Sequence, residues 1–272
     1  MRLSNAHPLV IAVWRLGFSV AVIAGILAAS GGWREWRALS RRDLALALGA
    51  GVLLALHFWS WNASLQLTSV AASVVLVNLQ PVFVAAGSAL WLREAPARAQ
   101  ILGIAIAVVG ALVVGLGDAG VASAGGGRNA IAGDLLALVG AVTAAGYYLA
   151  GRRLRARLSI WPYVGLVYGA CLVTLLALAA VVAVPLTPQP PREIAIFAAL
   201  AAGPMLLGHT GMNWALGYLP AYVVNLTVLG EPVGATVLAA VLPGIAEVPT
   251  AATLVGGALI LGGILVTLRR PG

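Results

Sequence analysis

Long apolar runs separated by short polar connectors dominate the chain, lying near 9–29, 44–63, 70–92, 99–117, 131–151, 160–184, 194–217, 220–242 and 250–268. Each is long enough to cross a bilayer, since a helix of about 20 residues rising about 1.5 Å per residue spans a hydrocarbon core of about 30 Å. The runs are apolar on every face, which predicts helices set in lipid, whereas strands of an outer-membrane barrel would alternate over about ten residues. No connector is long enough to fold as a separate aqueous domain. The pattern therefore predicts an all-α membrane protein, a polytopic bundle of about nine transmembrane helices.

Composition agrees: 61% of the 272 residues are hydrophobic and 9% charged, with a mean hydropathy of +1.01. A soluble domain carries about a quarter charged residues, so a water-soluble fold is excluded. The first run is not a cleavable signal peptide despite the small residues Ala28 and Ser30. It is 21 residues long and contains Arg15, whereas a signal core is about 7–15 uncharged apolar residues. The single Cys171 lies inside an apolar run, which leaves no disulfide framework and no cysteine metal site.

The basic residues are 16 arginines, opposed by 8 acids, for a net charge of +8. Their placement changes the picture more than their number. Arg34, Arg37, Arg41 and Arg42 follow the first run, Arg93 and Arg98 the third, Arg152, Arg153, Arg155 and Arg157 the fifth, and Arg269 and Arg270 the last. These twelve share one side, against Arg2, Arg128 and Arg192 on the other. Arginine-rich short loops stay in the cytoplasm, which predicts a cytoplasmic C-terminus, an external residue 1 and residence in the cell inner (plasma) membrane. The arginines are split among juxtamembrane loops with no aromatic-lined groove, so nucleic acid is not a partner; the lipid bilayer is.

An internal repeat follows. A shift of 151 pairs Asn62 with Asn213, Leu65 with Leu216 and Pro81 with Pro232; a shift of 153 pairs Glu94 with Glu247, Pro96 with Pro249, Gly103 with Gly256 and Gly110 with Gly263. Because the third run enters from outside and the eighth from inside, the copies run oppositely through the membrane. Inverted repeats of this kind mark transporters.

The stretch LTSVAASVVLVNLQPVFVAAGSALWLREAPARAQILGIAIAVVGALVV and its fainter copy LPAYVVNLTVLGEPVGATVLAAVLPGIAEVPTAATLVGGALILGGILV resemble the two halves of an EamA-type member of the drug/metabolite transporter superfamily. The resemblance covers nearly the whole chain. It rests on the small-residue run, the mid-helix proline, the glutamate after it and the glycine-spaced next helix. It implies ten helices in two inverted five-helix repeats, both ends cytoplasmic, and export of small metabolites or drugs. HPLVIAVWRLGFSVAV resembles the family's second helix, so the chain reads as lacking the first, through a shortened start or as a nine-helix variant. The expected organisation is a first repeat over 1–118 with four helices, a linker over 119–130 and a second repeat over 131–272 with five.

Gln80 and Pro81, and their mates Glu231 and Pro232, each fall about 15 Å deep, near the bilayer centre. A proline removes one backbone hydrogen bond and kinks the helix, so both prolines are candidate hinges, or serve only to shape the bundle. Glu231 is the one acid at midplane, where an ionised side chain is costly. It is a candidate proton carrier, or a protonated group hydrogen-bonded to a neighbour such as Thr227.

His57 and Trp61 stand four residues apart, as do Met205, His209, Asn213 and Gly217, so each set projects to one helix face. His57 and His209 on two helices with no third ligand do not make a zinc site; for each, a satisfied structural histidine is the commoner role. Asn78, Trp214, Tyr147, Tyr148 and Tyr168 are further candidates for a substrate cavity. Arg15 snorkels to the surface, meets an anionic substrate group or Glu231, or is structural. Glu94 and Glu247 read as helix caps ahead of Pro96 and Pro249. Taken together these features favour a secondary transporter, an alternating-access exporter of small molecules in which protons are a possible coupling ion. No cofactor or nucleotide-binding loop is expected. A lipid flippase, a channel or an accessory membrane subunit is the alternative. An intramembrane enzyme would have only Ser60 beside His57 as nucleophile and base, without a glycine-flanked serine or paired aspartates.

Overall fold

The computed structural model describes residues 4, 6–119, 130–231, 233–234 and 250–269. All regular structure among them is helical, and eight helices are long and apolar enough to cross a membrane. In chain order these are α1 (Pro8–Ser30), α2 (Arg41–Leu67), a third span divided into α3 (Val70–Val77) and α4 (Gln80–Gly87), α5 (Arg98–Ala119), α6 (Ala130–Arg155), α7 (Ile160–Val181), a span beginning with α8 (Pro191–Leu200), and α11 (Ala251–Leu268). The α8 span continues through a π-helix (Ala201–His209) into α9 (Thr210–Ala215). Between α9 and α11 the apolar segment Ala221–Gly230 consists of α10 (Ala221–Leu226) and a 3₁₀ turn. The protein is thus an all-α polytopic bundle.

Local chemistry explains the breaks. The third span is interrupted at Asn78 and Leu79, directly ahead of Gln80 and Pro81, because Pro81 cannot donate to the preceding turn and is tolerated where a new helix starts. Pro204 sits inside the π-helix, where the wider turn absorbs the missing donor. Glu94 does not open α5, which corrects its reading as a cap. Its own N–H donates to Ser88 O at 2.9 Å, closing the helix before it. Pro96 disfavours helical geometry at Ala95, so α5 starts at Arg98, with Gln100 Oε1 accepting Ala97 N–H at 2.9 Å. Glu247 and Pro249 lie outside the described residues.

The chain packs as two units, one of Met1–Trp59 with Gly146–Tyr218 and one of Ser60–Ala145 with Leu219–Gly272. Both draw on each half of the sequence. In the first unit α2 closes on α7 at Gly51, where an added Cβ would lie 2.5 Å from Val167 O. At one end Trp14 Nε1 donates to Leu186 O at 3.0 Å, and Ser4 donates to Glu193. The other end gathers the arginines. Arg157 pairs with Asp43 at 2.8 Å, Arg152 donates to Leu216 O at 2.9 Å, and Arg155 Nε donates to Asn213 O at 3.1 Å. The last two satisfy carbonyls at the C-terminus of α9, where a cation also complements the helix dipole.

In the second unit α5 and α11 run antiparallel and pack glycine to glycine. Gly103 faces Gly263, and Gly110 faces Gly256 closely enough that a Cβ on Gly110 would lie 2.6 Å from Gly256 O. Gln100 ties three helices together: its Oε1 accepts from Tyr222 Oη at 2.9 Å and its Nε2 donates to Thr267 O at 3.2 Å. Thr68 Oγ1 donates to Asp134 Oδ1 at 2.7 Å, joining α2 to α6.

Candidate functional site

The π-helix and α9 set the polar centre of the first unit. The π-register at Ala201–His209 directs the Thr210 backbone N–H to the Met205 carbonyl five residues back, and Thr210 Oγ1 donates to the same oxygen at 3.1 Å. One turn later Asn213, fully buried, reaches back to His209 O through Nδ2 at 2.8 Å. A carbonyl can only accept, so this contact fixes which end of the amide is the nitrogen. The same Nδ2 lies 2.5 Å from Tyr147 Oη and 3.1 Å from Tyr168 Oη. Tyr168 Oη in turn lies 3.3 Å from Thr210 Oγ1. Tyr147 and Tyr168 are buried to within 1% of complete exclusion. Four side chains from α6, α7 and α9 thus form one neutral hydrogen-bonded chain within the bundle.

Two atoms of this centre are buried without a hydrogen-bond partner among the described residues: Asn213 Oδ1 and His209 Nδ1. They belong to residues four apart, His209 closing the π-helix and Asn213 on α9, whose Nδ2 reaches back to His209 O. An orphaned buried acceptor costs about 1–3 kcal/mol, so such atoms are suited to a ligand that completes them. Around His209 the surroundings are aromatic and cationic. Its ring meets the edge of Phe58 at 5.6 Å and 87°, the Arg15 guanidinium lies over Phe58 at 4.3 Å, and His57 flanks the same ring at 5.5 Å. Arg15 is buried, with 8% of its surface exposed. Tyr148 packs edge-on against Tyr147 at 5.0 Å and places its hydroxyl 3.5 Å from Met212 Sδ.

Of the residues anticipated from sequence, Arg15, His57, His209, Asn213, Tyr147, Tyr148 and Tyr168 are therefore brought together in one unit. Trp214 is not among them: it is 52% exposed and packs on Tyr218 at 4.8 Å. The rest lie in the second unit. Asn78 ends α3 and is buried, Gln80 and Pro81 open α4 and are buried, and Trp61 is half-buried. Glu231 has an exposed side chain, and Thr227 Oγ1 donates to Val224 O at 2.7 Å within its own helix. Pro232 lies outside the described residues. Sequence reasoning passed over Thr210, Phe58 and Tyr163, whose buried hydroxyl sits where a Cβ on Gly151 would come within 2.7 Å. Pro204 in the run AAGPM was the available signal for the π-helix that turns Thr210 onto the Asn213 face.

Chemically, the centre offers hydroxyls, an amide and an imidazole beside one guanidinium. Among the described residues no three His, Cys, Asp or Glu side chains lie close enough to hold a metal ion. Eight helices long and apolar enough to cross a membrane define a multi-pass membrane protein. The model of the EamA-like transporter family matches residues 1–116 and 131–269, and the chain belongs to that family. A solved crystal structure, titled only as that of a protein, superposes with a TM-score of 0.80 at 22% sequence identity, covering 98% of this chain and 88% of its own. A search of curated proteins gave no match.

Proposed function

We propose that the protein is a secondary exporter of small metabolites or drugs, working by alternating access across the inner (plasma) membrane with its C-terminus in the cytoplasm. The observation that carries this reading is the orphaned pair Asn213 Oδ1 and His209 Nδ1 at the end of the Tyr147–Asn213–Tyr168–Thr210 network. A small solute with a hydrogen-bond donor and an apolar or aromatic body would complete Asn213 Oδ1 and lie against Phe58 and Tyr148. Two inverted repeats, over 1–118 and 131–272 with a linker between, would provide the two alternating states, with Pro81 and Pro232 as hinges. The glycine contacts support the inversion. Exchanging repeat mates turns the Gly103–Gly263 contact into Gly256–Gly110, the other contact made by the same antiparallel helices.

Coupling to protons is assigned to Glu231, the acid that stands one residue before the second hinge. Metabolite profiling of the medium from overexpressing cells identifies the solute, and proteoliposomes then measure its flux. Asn213→Leu should abolish flux while the protein still inserts. Glu231→Gln should abolish flux driven by a pH gradient and spare solute exchange at equal pH, since glutamine keeps the shape but releases no proton. Full gradient-driven transport in Glu231→Gln would eliminate the coupling role, and full flux in Asn213→Leu would move the binding site elsewhere.

A further inference from the structure

We propose that the segment joining α1 to α2 is a binding site for anionic phospholipid headgroups. Gly31, at φ 68°, turns the chain out of α1, and a 3₁₀ turn over Gly32–Ala38 follows. The turn is pinned: Trp36 Nε1 donates to Pro162 O at 3.0 Å, and Glu35 accepts from the backbone N–H of Ser159 at 2.9 Å and from its hydroxyl at 2.5 Å. A pinned turn holds its outward side chains in place. These are Trp33, 37% exposed, and Arg34 and Arg37, whose guanidinium groups lie 5.8 and 4.9 Å from the Trp33 ring centre. Arg41 and Arg42 follow and are also exposed.

The charge at this end of the unit stays net positive. Asp43 is paired with Arg157 at 2.8 Å and also accepts from Ser40 at 2.8 Å, while Glu35, bonded to the neutral Ser159, offsets one of the four arginines. Among the described residues Arg34, Arg37, Arg41 and Arg42 have no carboxylate partner. The ligand must therefore be an anion. Its source is set by position: the turn begins two residues after the last residue of a membrane-spanning helix, the depth of the phosphate layer, and an exposed tryptophan there is the usual anchor at the lipid interface. Juxtamembrane arginines at this depth attract anionic headgroups. A phosphodiester forked between Arg34 and Arg37, with Trp33 against the glycerol region, satisfies both features.

The test uses the full chain in nanodiscs of phosphatidylcholine mixed with phosphatidylglycerol, with the lipid retained on release read by native mass spectrometry. The wild type should keep phosphatidylglycerol in preference. Arg34→Gln with Arg37→Gln should lower that preference about 25-fold, at about fivefold per arginine. Arg192→Gln, at the opposite end, should leave it unchanged. Raising the salt should erode the wild-type preference, a readout that stands even where the double variant does not fold. Wild-type retention by the double variant overturns the proposal, as does a preference indifferent to salt. Displacement of the lipid by inorganic phosphate alone would assign the site to a free anion and overturn it equally.

Discussion

An alanine at Gly110 places a Cβ 2.6 Å from Gly256 O, 2.7 Å from Ile260 N and 2.9 Å from Leu259 Cβ. Two of these are backbone atoms of α11, which cannot rotate out of the way, and ordinary contact begins near 3.4 Å. The two helices must separate locally by about 0.8 Å. Lipid supplies no hydrophobic force to hold helices together, so close packing of small residues is what seats α5 on α11, and separation forfeits it. Overpacking of this kind costs about 1–3 kcal/mol, against which alanine recovers up to about 1 kcal/mol of helix propensity. A net loss of about 1–2 kcal/mol is expected, which is a fall in melting temperature of a few degrees for a chain of this size. The assay is thermal unfolding in mild detergent, followed by tryptophan fluorescence. Gly262→Ala is the control, since it lies on the partner helix α11 with nothing within 4 Å of the new Cβ, and it should be neutral or stabilising. Combining Gly110→Ala with Gly256→Ala should cost less than the two separately, because helices already parted for one methyl accommodate the second. If Gly110→Ala melts with Gly262→Ala, the two helices do not meet glycine to glycine and the reasoning fails.

Two further outcomes follow from the charge distribution and the polar network. Reporter fusions after Arg37, Gly127 and Gly272 should read cytoplasmic, external and cytoplasmic, and a cytoplasmic signal at Gly127 would invert the proposed topology. Tyr147→Phe removes the hydroxyl 2.5 Å from Asn213 Nδ2 and should destabilise by about 0.6–2 kcal/mol. Tyr148→Phe loses only a 3.5 Å contact to a thioether and should cost less; equal melting temperatures for the two variants would show that the network carries no stability.

Much of the fold was legible because the bilayer restricts what a backbone can do. Every span must satisfy its own hydrogen bonds, so run length and apolarity alone locate the helices from Pro8–Ser30 to Ala251–Leu268. Breaks were legible where the breaker acts locally, as at Pro81. They were misread where several neighbours act together. Glu94 followed by Pro96 has the composition of a helix start. However, Arg93 takes a left-handed conformation at φ 58° and Glu94 N–H turns back to Ser88 O, so the carboxylate ends up four residues short of α5. Pro204 was visible in the sequence, but a proline can kink, end or widen a helix, and the choice of a π-helix depends on packing that one strand of sequence does not carry.

The candidate site divides along the same physical line. Spacing of four put His209 and Asn213 on one face, and that face is where the two orphaned atoms lie. Spacing of three would have added Thr210 to Asn213, but hydroxyls in apolar helices usually bond back to their own carbonyls, as Thr143 does to Val139 O at 2.7 Å, so a threonine carries little signal. What separates Thr210 is its target, the carbonyl of Met205 five residues back, which accepts both the Thr210 backbone N–H and its hydroxyl because the π-helix has shifted the ladder. The tyrosines were found as polar aromatics in apolar runs, yet the same rule offered Trp214, which faces outward one residue from Asn213. Neighbouring positions on a helix point about 100° apart, so a polar residue joins the interior network only if its face does. Periodicity fixes that face relative to the rest of its own helix, and only the packing of α6, α7 and α9 around Asn213 fixes it relative to the protein.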